Sequence, residues 1–117
     1  MTSANGDLFY ASEKISLALR IIATSHGTIQ QRLLDGWLRE GNHALPMGPG
    51  QAGRPMSQDL VDQLVSFNAR MSCRPSVADE GAFSATILAL SDEEAVAAAK
   101  ELFDIEYQID AELHDSR

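Results

Sequence analysis

The chain contains a single cysteine among its 117 residues, and several other features that mark particular protein classes are equally scarce. One thiol cannot form an internal disulfide, so Cys73 excludes a disulfide-stapled fold and a multi-cysteine zinc site. A lone thiol is typical of a reducing compartment. The opening residues MTSANGD show neither a basic nor an apolar region, so we expect no signal peptide. We therefore expect a cytoplasmic protein.

The sequence also lacks long hydrophobic runs, and its last third contains few basic residues. The longest uncharged apolar stretch, residues 81–90, is about half the length of a membrane span, so we expect no membrane partner. Residues 75–117 hold two basic and eleven acidic residues, whereas residues 1–74 hold seven basic and six acidic ones. Phosphate contacts require clustered Lys and Arg, so we expect no nucleic-acid partner.

Strand-like alternation and internal repeats are absent from the sequence, and apolar residues instead recur at the three- and four-residue spacing of helices. Helices are predicted over about residues 8–25, 28–41, 57–75, 77–90 and 91–113, where the last two either stay separate or form one bent helix. The pattern predicts an all-α fold, a small four- to five-helix bundle. We expect a single domain over residues 1–117, with frayed ends at residues 1–6 and 114–117.

Residues 41–56 form a long Gly/Pro-rich loop after the second predicted helix. They contain four of the eight glycines and three of the four prolines, which cannot continue a helix. We expect a flexible loop, or one that has a function of its own. Residues 48–53 spell GxGxxG, but a dinucleotide site needs a preceding strand, and Pro49 removes one backbone N–H. The motif therefore indicates a connection, and we expect no cofactor.

The last predicted helix has an unusually wide apolar surface. At about 100° per residue, one stripe spans an arc of about 120° and forms the expected core face. Its members are Ala95, Ala98, Ala99, Leu102, Ile105, Ile109 and Leu113. Val96, Phe103 and Tyr107 form a second row beside it, which we term the outer row. Two interpretations remain open. Either the helix is packed on two sides, or the outer row is exposed and covers a partner.

Two further residues are candidates for an interaction site. Glu106 falls between the stripe and the outer row, so its carboxylate either lies at the core edge, where it reaches solvent or a cation, or is a buried acid with a function. Trp37, the only tryptophan, lies in a stripe with Ile29 and Leu33. Core packing is its first interpretation, and an interface anchor is the second.

The acids also permit a metal-site hypothesis. Glu101-x-x-Asp104, taken with Asp59-x-x-Asp62 on the third helix, resembles the ExxD and ExxE pairs of small all-helical nucleotide pyrophosphohydrolases. The resemblance covers a handful of residues, and aspartates replace both glutamates of the ExxE pair. It implies Mg²⁺ held by Glu101, Asp104, Glu106 and Asp110. The simpler interpretation is a solvated acidic face without a metal.

Three functional hypotheses follow from these patterns. The first is a non-enzymatic protein-interaction module that uses the outer row, Glu106 and Trp37 to bind a protein partner or a second copy, which would make a homodimer. The second is an acidic inhibitor that mimics nucleic acid and binds a basic protein. The third is a metal-dependent, all-helical nucleotide hydrolase.

Overall fold

A computed structural model of the chain describes residues 7–46, 54–75 and 81–114. Within these ranges the chain is all-α, as the spacing predicts, and contains no strand. The α-helices are α1 (Leu8–Thr24), α2 (Ile29–Arg39), α3 (Gln58–Met71), α4 (Gly81–Ile87) and α5 (Asp92–His114). A short 3₁₀ helix, Gly41–Ala44, follows α2. In this described part of the chain, no helix is both long enough and apolar enough to cross a membrane.

Side-chain caps set where the helices begin. Thr28 and Gln31 form a capping box at the start of α2, in which each side chain accepts a hydrogen bond from the other residue's backbone N–H, at 3.0 and 2.9 Å. Ser91 and Glu94 repeat this box at the start of α5. The Ser57 hydroxyl accepts a bond from the N–H of Leu60 and so caps α3. These contacts satisfy N–H groups that have no partner within the helix.

The ends of the third and fourth predicted helices differ from expectation. α3 ends at Met71 rather than at Pro75; Ser72 has left the helical conformation, and its hydroxyl donates to the carbonyl oxygen of Asn68 in the last turn. α4 is described from Gly81, and the predicted start of the fourth helix at about residue 77 lies outside the described residues. A turn separates Ile87 from Asp92, so α4 and α5 are two helices rather than one bent helix.

The core is one cluster of buried apolar side chains centred on α5, which packs against α1, α2 and α3. Helices α1 and α2 approach closely at Gly36, where a Cβ atom would lie 2.7 Å from the carbonyl oxygen of Ala18. Phe67 on α3 meets Trp37 on α2 edge-to-face, with ring centroids 4.8 Å apart. Helix–helix contacts of this kind bury most of the predicted core stripes.

Both ends of the predicted loop are packed onto the bundle. Gly41 and Ala44 are buried in the 3₁₀ helix against α1, and Met56 is buried in the core. The prediction of a flexible loop therefore does not apply to these two ends, which are packed. Residues 47–53, which include the GxGxxG stretch, lie outside the described residues, as do the predicted frayed residues 1–6 and 115–117.

Candidate docking surface on helix α5

The outer row lies in solvent. Val96, Phe103 and Tyr107 are 43%, 54% and 80% exposed, whereas the adjacent stripe from Ala95 to Ile109 is buried. Contacts with three other helices are enough to cover the stripe, and none of these helices covers the outer row. Two-sided packing therefore does not bury the outer row, and its exposure in the single chain agrees with the first half of the second interpretation.

A groove runs between the outer row and α1. It is lined by Ser12, Ser16, Phe103, Glu106, Tyr107 and Asp110. The Ser16 hydroxyl donates a 2.6 Å hydrogen bond to Oε2 of Glu106, which joins the two helices across the groove. Glu106 is half-buried and lies at the core edge, where one face of its carboxylate reaches the groove. The interpretation of Glu106 as a functional buried acid is therefore wrong.

Phe9 extends this surface and was missed by sequence reasoning. Its ring is 57% exposed, and it precedes Ser12 and Ser16 by three and seven residues, the spacing of one helix face. The groove serines therefore place Phe9 on the side of α1 that adjoins α5. The sequence contains a signal for the exposure of Phe9. Phe9 lies about 100° around the helix from Leu8, where the buried stripe starts, and so falls outside the core face.

Arg54 holds the end of α5 beside the start of α1. Its guanidinium donates to the carbonyl oxygens of Leu113 and Glu112 at 2.9 and 2.7 Å, and its own carbonyl accepts from the N–H of Leu8. A cation at the carboxyl end of a helix complements the helix dipole. Because the end of α5 lies beside the start of α1, the two helices run antiparallel along the groove. This arrangement places Ser16 opposite Glu106.

The Glu112 carboxylate is fastened at the same end of α5. It accepts hydrogen bonds from the hydroxyl and backbone N–H of Ser57 and from the Gln108 amide. Burial acts to raise the pKa of Glu112, but these bonds and the nearby Arg54 charge favour the ionised form and outweigh it, so the pKa lies below its ordinary value. Glu112 therefore serves the fold and is not free to meet a partner.

The acids of α5 fall into two groups by what they contact. Glu94 caps the helix, Glu101 pairs with Arg70 on α3, and Glu112 binds Ser57. A second group lines the depressions beside the outer row, and its members are Asp92, which also accepts from the Gln30 amide, Glu93, Glu106 and Asp110. Lys100 is the one basic residue among them. The exposed apolar surface is thus bordered by strong negative charge.

Trp37, proposed as an interaction residue, lies at the centre of the bundle. Its side chain has no exposed surface, and its indole N–H donates a 3.0 Å hydrogen bond to Oδ1 of Asn68. The interface-anchor interpretation is wrong because α1, α3 and the 3₁₀ helix enclose the stripe to which Trp37 belongs. Its first interpretation, core packing, is confirmed.

The four acids of the metal hypothesis do not converge. Glu101 is engaged with the guanidinium of Arg70, one of the two bonds being 3.0 Å, while Asp104 faces solvent and Glu106 and Asp110 face the groove. On α3, Asp62 accepts from Gln58. Across residues 7–46, 54–75 and 81–114, no three His, Cys, Asp or Glu side chains are grouped so as to hold a metal ion. The predicted ligand set is therefore wrong.

A second apolar surface lies where α2 meets the end of α4. Leu38 and Leu88 are exposed there, and the residues lining the depression are His26, Gln31, Leu34, Asp35, Leu38 and Leu88. Asp35 is paired with Arg39 one turn further along α2. This surface has no aromatic side chain and fewer carboxylates than the α5 groove, so it presents less to a partner.

Comparison with known proteins adds nothing to this geometry. No protein-family model, no curated protein and no solved structure matches the chain.

Proposed function

We propose that the chain is a non-enzymatic protein-interaction module that docks through the outer row and the adjoining groove. The observation that supports this proposal is the exposure of Phe103 and Tyr107 beside a stripe of the same helix that is packed in the core. Aromatic side chains offer a large apolar area with little conformational entropy to lose, and they are enriched at the centres of protein interfaces.

Clustering distinguishes this surface from ordinary exposed hydrophobic residues. Single apolar side chains are common on the surfaces of soluble proteins and need no explanation. Here Phe103 and Tyr107 line one groove together with four polar or charged residues, and Phe9 is exposed on the face of α1 that carries the groove serines. A contiguous apolar patch with a polar rim is the usual composition of a docking site.

The partner in this proposal is another protein or a second copy of the chain, and it is not nucleic acid. The carboxylates around the groove would repel phosphates. An inhibitor that mimics nucleic acid would use these acids alone, and it would not require aromatic side chains between them. We place the protein in the cytoplasm, because the exposed, unpaired thiol of Cys73 suits a reducing compartment.

A double substitution of the outer row tests the proposal. Phe103→Glu with Tyr107→Glu changes only exposed side chains, so we expect the melting temperature to stay close to that of the wild type. We expect the variant to lose partners that the wild-type chain captures from its native host, or to lose self-association measured by light scattering. Val65→Glu, an exposed apolar position on α3, is the matched control and should change neither.

Two outcomes would decide against this function. Unchanged partners and an unchanged oligomeric state in the double variant would remove the outer row as a docking surface. Equal losses in the Val65→Glu control would show that added negative charge, rather than the loss of the aromatic rings, weakens binding.

A further inference from the structure

We propose that the groove between α1 and α5 receives a basic amphipathic segment of another protein, with one Arg or Lys side chain ending between Glu106 and Asp110. This inference rests on the proposed function and names the chemistry of the partner. It adds two claims to that function. The groove binds a cation, and its occupant is not a second copy of the chain.

The lining of the groove combines two features that one long basic side chain can match. Phe103 and Tyr107 supply aromatic surface, while Glu106 and Asp110, four residues apart on α5, supply two carboxylates on the same side of the helix. The methylene stem of Arg or Lys packs on apolar surface while its charged end reaches polar groups. A guanidinium stacks on aromatic rings and pairs with carboxylates through a planar fork, so Arg fits this site better than Lys.

The Glu106 carboxylate is already oriented for such a contact. The 2.6 Å hydrogen bond from Ser16 to Oε2 holds it at the groove wall, so a partner does not have to order it on binding. None of the six residues lining the groove is a cation, and the imidazole Nδ1 of His114, 4.0 Å from Oδ1 of Asp110, is the neighbouring group that carries a charge only when it is protonated. A basic side chain would therefore find both a preformed acceptor and a favourable potential.

Charge also argues against a second copy of the chain. A symmetric dimer places the same patch on both sides of the interface, so the acids around the outer row would face their own counterparts. Four carboxylates and one ammonium border that patch in each copy. Juxtaposed like charges disfavour association, whereas a basic segment complements them.

Isothermal titration calorimetry with a synthetic helical peptide tests the inference on the full-length chain. The probe has leucines along one face and arginines on both flanks, and a second peptide carries glutamine in place of each arginine. We expect only the arginine peptide to bind. Amide chemical-shift changes in ¹⁵N spectra should centre on residues 103–110 and on residues 12–16.

Charge-matched variants separate a specific groove contact from general attraction. Glu106→Gln with Asp110→Asn should weaken binding of the arginine peptide by about tenfold, since two charge pairs are lost. Asp59→Asn with Asp62→Asn removes the same charge from α3 and should leave affinity within about twofold of the wild type at equal ionic strength. Equal weakening in both variants, or no binding of the arginine peptide to the wild type, would overturn the inference.

Light scattering on the chain alone distinguishes failure of this inference from failure of the proposed function. A dimer that Phe103→Glu abolishes would identify a second copy as the occupant, which overturns the inference and supports the docking function. Native partners that depend on Phe103, together with no binding of the arginine peptide, would also overturn only the inference. If neither self-association nor partner capture depends on Phe103, both proposals are wrong.

Discussion

The close approach of α1 and α2 at Gly36 makes Gly36→Ala a sensitive test of the packing. In an open helix position this substitution stabilises a protein, because alanine favours the helix by about 1 kcal/mol over glycine. At Gly36 the new methyl group would lie 2.7 Å from the carbonyl oxygen of Ala18 and 3.0 Å from Cγ1 of Ile22. The first neighbour is backbone in the middle of α1, so it cannot move away by changing rotamer.

The two effects have opposite signs, and their sizes decide the outcome. Relieving the contact requires α1 and α2 to separate by roughly 0.5–1 Å, which loosens close-packed side chains along the helix pair. Overpacking of this kind costs about 1–3 kcal/mol, and a backbone obstacle places Gly36 at the upper end of that range. After subtraction of the helix-propensity gain, we expect Gly36→Ala to lower the free energy of unfolding by about 1–2 kcal/mol.

Urea denaturation followed by the fluorescence of Trp37, the sole tryptophan, measures this free energy directly. Ala97→Gly, at an exposed position within α5, is the reference for helix propensity in this chain and should cost about 1 kcal/mol. If Gly36→Ala stabilises the protein by the amount that Ala97→Gly destabilises it, the helices do not approach as closely as described. That result would refute the packing of α1 on α2.

Two further predictions concern polar contacts that the structure places at defined atoms. Asn68→Ala removes the acceptor of the Trp37 indole N–H and should lower the free energy of unfolding by about 1–3 kcal/mol in urea denaturation. Asn68→Asp keeps that oxygen, and an equally large loss in this variant would contradict the hydrogen bond. The lowered pKa of Glu112 makes its stabilising contribution complete above its ordinary pKa and lost as the pH falls through the folded-state pKa. Glu112→Gln should therefore make stability depend less on pH on the acid side, and an unchanged profile from urea denaturation at a series of acidic pH values would rule out this linkage.

Local interactions explain why so much of the helical architecture is predictable from the sequence. The capping boxes at Thr28 and Ser91 join residues three positions apart, so the chain need not fold for them to be recognised. The buried stripe of α5 follows from apolar side chains that recur every three or four residues, which is an equally short range. The end of α3 was predicted too late, because Pro75 marks a point that the helix cannot pass, and the helix ends four residues before it.

Burial of a particular apolar residue depends on contacts distant in the sequence. Trp37 and Phe103 both lie on apolar faces of helices, yet Trp37 is enclosed and Phe103 is exposed. The difference depends on where the neighbouring helices lie, and residues far along the chain, such as Arg54, help to set those positions. The groove itself joins Ser16 to Glu106 across 90 positions. No short-range pattern encodes that pairing.

Periodicity and capping alone thus establish that the chain is helical, where most helices begin, and that α5 has more apolar circumference than one neighbour can cover. These properties arise from interactions within a few residues, whose energies do not depend on the rest of the fold. The packed arrangement settles which part of that circumference stays in solvent and which acids remain free beside it. It does so because burial and ion pairing are properties of the three-dimensional neighbourhood, which brings Arg70 to Glu101 and Ser57 to Glu112 but leaves Asp110 at the groove.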